Sequence, residues 1–265
     1  MSTLSVIIPT WNTSIITLAN VTRLLGLNSP KLEIIIVDNA STDNVTVLKN
    51  LKNIIYLRLS ENQGYGAACN AGAKIATSDY LLFLNSDMEI IKGLNSLLSF
   101  AAAHPHVGIT GPQFLNPDLS IQGSVFPPQN LTNAFKEFWL GKKSYSKFAP
   151  SSPNPTPVWA LSGGAMLISQ QLFTQIGTWD NRYHMYYEDL ELCRSVRQLG
   201  FDIIYYPTCQ FIHRHGASGH SLASPQNQWR RLIKSSQIYH GLIYHYLLNL
   251  IIWSGQKFSP FKSIY

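Results

Sequence analysis

Charge is what this chain has least of. Asp, Glu, Lys and Arg make up 13% of its 265 residues, about half the roughly 25% typical of soluble domains. Beside 45% hydrophobic residues, so thin a charged shell suggests a surface that rests partly on something apolar. The formal charge of +6, from 20 Lys and Arg against 14 Asp and Glu, favours anionic partners such as nucleotides, phospholipid headgroups or phosphorylated carriers. It is too diffuse to argue for nucleic acid. Cysteine is scarce as well: Cys69, Cys193 and Cys209 show neither metal-ligand nor redox spacing, which leaves buried thiols in a reducing compartment. The opening Met-Ser-Thr-Leu-Ser-Val-Ile-Ile-Pro has no basic flank and no long apolar core, so no signal peptide is expected and a cytoplasmic location is. No internal repeat is visible.

What is present is alternation. Apolar strand signals at Leu4 to Ile8, Leu32 to Val37, Ile54 to Leu59 and Leu81 to Leu84 are interleaved with helical stretches at Ser14 to Leu25, Asp43 to Leu51, Tyr65 to Ala76 and Leu94 to Ala103. Such spacing predicts right-handed βαβ units, hence an α/β fold with a mainly parallel central sheet flanked by helices. From Pro112 to Pro157 eight prolines point to irregular crossing loops around a short helix near Asn133 to Leu140, part of an acceptor-binding wall. Order returns at Val158 to Ser169, in a helix from Glu188 to Leu199 and in a strand from Asp202 to Tyr206.

The tail from Gln226 onward predicts an amphipathic helix. Trp229, Ile233, Ile238, Leu242, Tyr246 and Ile252 fall roughly on one side, with Arg230, Arg231 and Lys234 near its start. Its most apolar part, Gly241 to Trp253, is shorter than the roughly twenty residues a bilayer span needs. It is either a helix packed on the domain or a basic, aromatic helix lying in a membrane interface. The expected organisation is one domain over 1–222, in two halves (1–111 and 112–222), followed by a helical extension (223–265).

The most informative stretch is Asp79-Tyr-Leu-Leu-Phe-Leu-Asn-Ser-Asp87. A buried strand of a parallel sheet that ends on a carboxylate places it where open α/β sheets bind ligands. There Asp87 can hold a hard divalent cation that in turn holds phosphate oxygens, or it can simply cap the next helix. Asp38 closes the second strand, where a carboxylate can accept the N–H of a uracil or thymine ring, or cap a turn. Gly64 and Gly66, in Asn62-Gln-Gly-Tyr-Gly-Ala-Ala-Cys-Asn70, permit a tight turn into a helix whose first N–H groups suit phosphates; a plain strand-to-helix turn is the alternative. Asn62 and Asn70 can hold that loop by side-chain hydrogen bonds. Asp43 is expected to cap the helix that follows it, and Trp159 and Trp179 either stack on sugar rings or are packed.

Taken in order, Ser5-Val-Ile-Ile-Pro-Thr-Trp-Asn12, Ile36-Val-Asp-Asn-Ala-Ser-Thr-Asp43, the Asn62 to Gly72 segment, Asn85-Ser-Asp87, Leu161-Ser-Gly-Gly-Ala165, His184-Met-Tyr-Tyr-Glu-Asp189 and Phe211-Ile-His213 resemble family 2 glycosyltransferases, whose GT-A fold binds nucleotide sugars. The resemblance runs from about Ser5 to Ser218 and is nearest to rhamnosyltransferase-type enzymes of polysaccharide assembly. It implies an inverting transferase using a UDP- or dTDP-sugar, a divalent cation (Mn²⁺ or Mg²⁺), and a glycan or lipid-linked acceptor. By residue, it implies that Thr10 and Asp38 line the base, and that Gly163 and Gly164 lie beside the donor sugar or acceptor. Asp87 and His213 become the metal ligands, with His215 as a second candidate. Asp189 becomes the general base, and Glu188 orients the loop or the acceptor. The family pattern Asp-x-Asp is Asn85-Ser-Asp87 here; Asn85 can bond a ribose hydroxyl but adds no charge to attract the cation. The aromatic run before Glu188 can raise a carboxylate pKa while the helix start lowers it, so the net shift is left open.

Two other functions compete. A sugar-phosphate nucleotidyltransferase would carry a Gly-rich, basic loop after the first strand, where this chain has Pro9-Thr-Trp-Asn12. A non-catalytic scaffold or glycan-binding subunit would be expected to have lost one of Asp38, Asp87, Asp189 or His213, all of which are present.

Overall fold

The computed structural model describes residues 2–27, 32–214 and 225–261, with side chains from residue 232 onward in the last segment. The first half comprises β1 (Leu4–Thr10), α1 (Ser14–Leu25), β2 (Leu32–Asp38), α2 (Thr46–Lys49), β3 (Ile55–Arg58), α3 (Tyr65–Ile75), β4 (Tyr80–Leu84), β5 (Met88–Lys92), α4 (Leu94–Ala103) and β6 (Val107–Leu115). After it come β7 (Ile121–Gln122), β8 (Val125–Phe126), α5 (Leu131–Leu140), β9 (Thr156–Pro157), β10 (Ala160–Leu161), β11 (Ala165–Ser169) and α6 (Gln170–Gln175). The chain closes with α7 (Glu188–Gln198), β12 (Asp202–His213), α8 (Pro225–His240) and α9 (Leu242–Phe258).

The sheet runs β3-β2-β1-β4-β11-β6-β12-β5. Its first four strands are parallel, as the alternation predicts. Beyond β4 it is mixed: β11 is antiparallel to both β4 and β6, β6 and β12 are parallel, and β5 returns antiparallel to β12. Strands such as Leu32–Asp38 carry continuous apolar runs because both faces are covered. Ile35 and Val37 point into a core roofed by α3, α6 and α7. Ile34 and Ile36 point into the opposite core, under α1, α2 and α4. A smaller third core joins Ala134 and Phe138 of α5 to Leu248 of α9.

Several expectations are corrected. The helix over Asp43 to Leu51 shrinks to the single turn of α2, and Asp43 caps α1 instead, accepting hydrogen bonds from Ser14 N (2.8 Å) and Ser14 Oγ (2.9 Å). The irregular window opening at Pro112 begins inside β6, a buried central strand, and the strand at Asp202 continues to His213. Pro112 and Pro207 are tolerated because β6 and β12 change register between Tyr206 and Gln210, at a bulge where ladder donors are not required. The tail is broken at Gly241 (φ +81°) into two helices, so it presents no single apolar side. Trp229, Arg230 and Arg231 have side chains outside the described residues, as do His215 and the segment 216–218.

Candidate active site

The ends of β1, β2 and β4 open on a cleft that is continuous with solvent. Thr10, Asn62, Gly64 and Asn85, four of the expected donor-site residues, line it, together with Trp11, Asn39, Tyr65, Ser86, His184 and Met185. Thr10 presents little hydroxyl to the cleft. Its Oγ1 is tied to Thr13 (2.9 Å) and Thr17 (2.8 Å), and Thr13 reaches Ser86 Oγ at 3.0 Å. This hydroxyl cluster braces the start of α1 against the turn that follows β4.

Asp38 is fully buried behind the cleft wall. It accepts hydrogen bonds from Ser41 N (2.8 Å) and Tyr56 Oη (2.5 Å) and pairs with Arg58. Burial pushes its pKa up, but the donors Tyr56 and Ser41 and the Arg58 charge outweigh that and hold it below the usual carboxylate range. The polar group that the end of β2 shows to the cleft is Asn39, which the sequence pattern does not single out. Its amide donates to Asn62 Oδ1 (3.0 Å) and Gly64 O (3.1 Å) and accepts from Gln63 N (2.9 Å), fixing the loop before α3.

Gly64, at φ +91°, starts α3, and a Cβ there would overlap the carbonyl of His184. The Tyr65 N–H donates to that carbonyl at 3.1 Å. The glycine therefore serves a backbone-to-backbone contact with the 183–187 loop, and the first N–H of the helix is committed to protein, not held ready for phosphate. Trp179 is likewise packed, edge-on to Tyr65 and Phe83 in the core. Trp159 is partly exposed and covered by the Arg197 guanidinium.

The loop ends on Tyr186 and Tyr187 at φ +69° and +68°, a left-handed pair that ordinary residues avoid and that marks a shape imposed by its surroundings. It delivers Glu188 and Asp189 to the first turn of α7. Asp189 accepts from Gly163 N (3.0 Å) and Leu190 N (2.9 Å). The Gly163 carbonyl accepts from Tyr65 Oη (2.6 Å), and the Gly164 carbonyl accepts from Asn85 N (2.9 Å). A Cβ at Gly163 would press on Asp189, and one at Gly164 on Phe114. The two glycines are thus the hinge pin between the β4 turn and the acidic pair. Burial dominates the helix dipole: it pushes Glu188 up to about 8, helped by the Asp189 charge, and raises Asp189 against the pull of the Gly163 N–H and Lys147. Lys147, whose Nζ lies 3.4 Å from Ser162 Oγ, is a cation near the pair that the sequence pattern does not reveal.

Asp87 and His213 come together at the far end of β4, both buried, with His213 Nε2 3.6 Å from Asp87 Oδ1. Gln122 donates its amide N–H to Asn116 (2.8 Å), so its carbonyl faces His213 Nδ1 at 2.8 Å. In the neutral ring Nδ1 then carries the proton and the Nε2 lone pair points at the carboxylate. An oxygen and a nitrogen donor converging in this way fit a divalent cation, with the tautomer set by an outer partner as metal-bound imidazoles require. Among the described residues no group of three or more His, Cys, Asp or Glu can hold an ion, so the remaining positions would fall to phosphate oxygens and water.

Residues 5–145 match the family described as glycosyl transferase family 2. The chain is 27% identical over 208 residues to an N-acetylglucosaminyl-diphospho-decaprenol L-rhamnosyltransferase of Mycobacterium tuberculosis, covering 71% of this chain and 68% of that protein. It is 28% identical over 180 residues to the low-salt glycan biosynthesis hexosyltransferase Agl10 of Haloferax volcanii, covering 64% of this chain and 55% of that protein. Among solved structures, GalNAc-T7 with UDP, GalNAc and Mn²⁺ is similar at TM-score 0.64 and 17% identity, over 81% of this chain and 43% of that one. The mannosyltransferase PcManGT of Pyrobaculum calidifontis, with GDP-Man and Mn²⁺, is similar at TM-score 0.55 and 18% identity, over 94% of this chain and 64% of that one. Sequence match, sheet order and strand-end cleft agree: the chain belongs to glycosyl transferase family 2 and is a glycosyltransferase built on the GT-A fold.

Proposed function

We propose that the chain transfers a single sugar, rhamnose being the first candidate, from a UDP- or dTDP-sugar to a hydroxyl of a glycan or lipid-linked acceptor in cell-surface polysaccharide synthesis, at the cytoplasmic face of the membrane. The observation that carries this is the placement of Asp189: a carboxylate oriented by Gly163 N–H behind Tyr65, a residue of the cleft wall. Tyr65, whose hydroxyl reaches the Gly163 carbonyl, is the link between that carboxylate and the strand-end cleft.

The chemistry divides by residue. Asp189 keeps two backbone N–H donors that favour its ionised form, so of the two acids it is the one suited to accept the acceptor's hydroxyl proton. The acceptor oxygen attacks the anomeric carbon as the bond from that carbon to the diphosphate oxygen breaks. The bonding pair leaves with the diphosphate and the configuration inverts. Asp87 and His213 would hold the divalent cation, which when bound offsets the charge of the leaving diphosphate. Asn85 presents an amide to the ribose side of the cleft, Asn39 fixes the loop that walls it, and Glu188, kept neutral by burial, shapes the acceptor side.

Calorimetric titration with UDP and dTDP, each with and without Mn²⁺, paired with Asp189→Asn, tests the proposal. One nucleotide is expected to bind with metal dependence. Asp189→Asn is expected to bind it equally well while losing about 10²- to 10⁴-fold in turnover. Unchanged turnover removes Asp189 as the base. A folded chain that binds neither nucleotide favours the non-catalytic scaffold, the reading that the amide at Asn85 keeps in play.

A further inference from the structure

Helix α9 carries apolar residues on both its sides: inward, Leu248 packs on Ala134 and Phe138 of α5. Its inward stripe carries His245 and Asn249, hydrogen-bonded to each other and, through His245, to Ser236 of α8 (2.9 Å). Its outward stripe is Leu242, Ile243, Tyr246, Leu247, Leu250 and Trp253, each between 46 and 80% exposed. The spacing i, i+1, i+4, i+5, i+8, i+11 is one continuous face of a helix. Six large side chains so presented make an apolar patch of roughly 600 Å², at or above the largest found on a typical monomer. The helix alongside extends it. α5 runs parallel to α9, its Leu131 N–H donating to Tyr244 Oη (3.0 Å) and its Trp139 carbonyl accepting from Ser259 Oγ (3.2 Å), and it shows Phe135 and Leu140 to solvent.

The charge around this face has one sign. Up to Asp202 the basic and acidic residues cancel, fourteen of each; residues 203–265 hold six Lys and Arg and no Asp or Glu, so the whole formal charge of +6 lies in that stretch. Among the described residues, exposed Lys234 and Lys257 flank α9, and exposed Lys136, Lys142 and Lys143 lie on or just past α5. A second copy of the chain would bring two such basic rims together and repel. A polyanionic surface that is also apolar within suits both features.

We propose that the outward face of α9, with α5, docks on an anionic lipid bilayer, lying in the interface with its apolar stripe sunk among the acyl chains and its lysines at the phosphates. No helix of the described residues is long and apolar enough to cross a membrane, and the inward side, with Leu248 packed on α5 and His245 bonded to Ser236, keeps α9 against the protein. The docked face connects to the acceptor side of the site through one helix. Ser235 of α8 donates to the Met185 carbonyl (2.8 Å). Tyr239 and His240 pack on Tyr187, and His240 stacks on Tyr244 of α9. An acceptor carried on a lipid would enter from that side. Only this last step rests on the glycosyltransfer proposed above.

The test is co-sedimentation of the whole chain with vesicles of phosphatidylcholine alone and of phosphatidylcholine with one-third phosphatidylglycerol. The chain is expected to pellet with the anionic vesicles and to be released by salt. Ile243→Glu with Leu247→Glu, both exposed and so harmless to folding, is expected to abolish pelleting with melting temperature and nucleotide heat unchanged. Lys142→Ala and Lys143→Ala are each expected to weaken it about fivefold. Wild-type protein that stays in the supernatant, or a double Glu variant that still pellets, overturns the proposal. So does a wild-type dimer that the double variant converts to monomer without any vesicle binding, since that assigns the face to a second copy. Pelleting without nucleotide binding would leave docking intact and remove the proposed reaction, so the two fail separately.

Discussion

Glu188 and Asp189 are neighbours on one helix turn, and burial raises the pKa of both, yet their hydrogen bonding differs. Asp189 is served by two N–H groups, whereas Glu188 Oε2 is buried with no hydrogen-bond partner among the described residues. Because the folded pKa of Glu188 is raised to about 8, the folded state holds more protons than the unfolded one between pH 4.5 and 8. Stability from this group is therefore greatest below pH 4.5 and declines as pH climbs through 8. Melting temperature measured across that range should fall, and Glu188→Gln should flatten the decline; an equal slope in the variant would refute the buried acid. Gln122 offers a second check. Gln122→Ala frees the tautomer of His213, and the usual loss for such an outer partner is about 10- to 100-fold in metal affinity. Mn²⁺ binding by electron paramagnetic resonance, with the ring tautomer followed by nitrogen NMR, reads both, and unaltered values would make Gln122 a packing residue only. Asp87, Asp189 and His213 could be singled out as candidates because strand ends and short motifs carry them. Asn39 and Gln122 were not, since an amide acquires its role only from the partners that folding supplies.

At the scale of elements, the parallel half of the sheet was legible because β1, β2 and β4 carry the apolar runs Val6 to Ile8, Ile34 to Val37 and Leu81 to Leu84, separated by helical spacing. β6 was hidden by its own punctuation, Gly108, Gly111 and Pro112, which in a lone sequence reads as loop. Only the bulge on β12 makes the proline acceptable there. β5 was hidden for another reason: five residues that follow a motif turn and end half exposed carry almost no periodic signal. The junction of α3 with the 183–187 loop yields a firm expectation. Gly64→Ala demands a left-handed alanine and displaces the His184 carbonyl, so a loss of at least about 1–3 kcal/mol is expected in urea unfolding, with weakened nucleotide binding as His184 and Met185 leave the cleft wall. A variant as stable as wild type would show that this loop yields without cost.

Over the whole molecule, strands from the first and the second half of the chain share one sheet, so domain closure about a hinge is not available and rearrangement on binding falls to the loops at the strand ends. β11 is the reason. It fills the slot between β4 and β6, pairing Leu82 with Leu167 and Thr110 with the same residue from the other side. A chain stopped at residue 145, where the family match ends, would keep β4 and β6 but lack the strand that satisfies both. Such a fragment is expected to aggregate on expression, while one ending after residue 214 should remain dispersed; light scattering of the two tells them apart, and a monomeric, folded 145-residue fragment would contradict the dependence. During synthesis the same slot imposes a wait. Two buried strands leave the ribosome with open edges, and their shared neighbour follows only some fifty residues after β6, a delay of about 3–10 s at ordinary elongation rates. For that interval the nascent enzyme is a half-zipped sheet, and whatever shields its edges then decides how much of the protein is ever made.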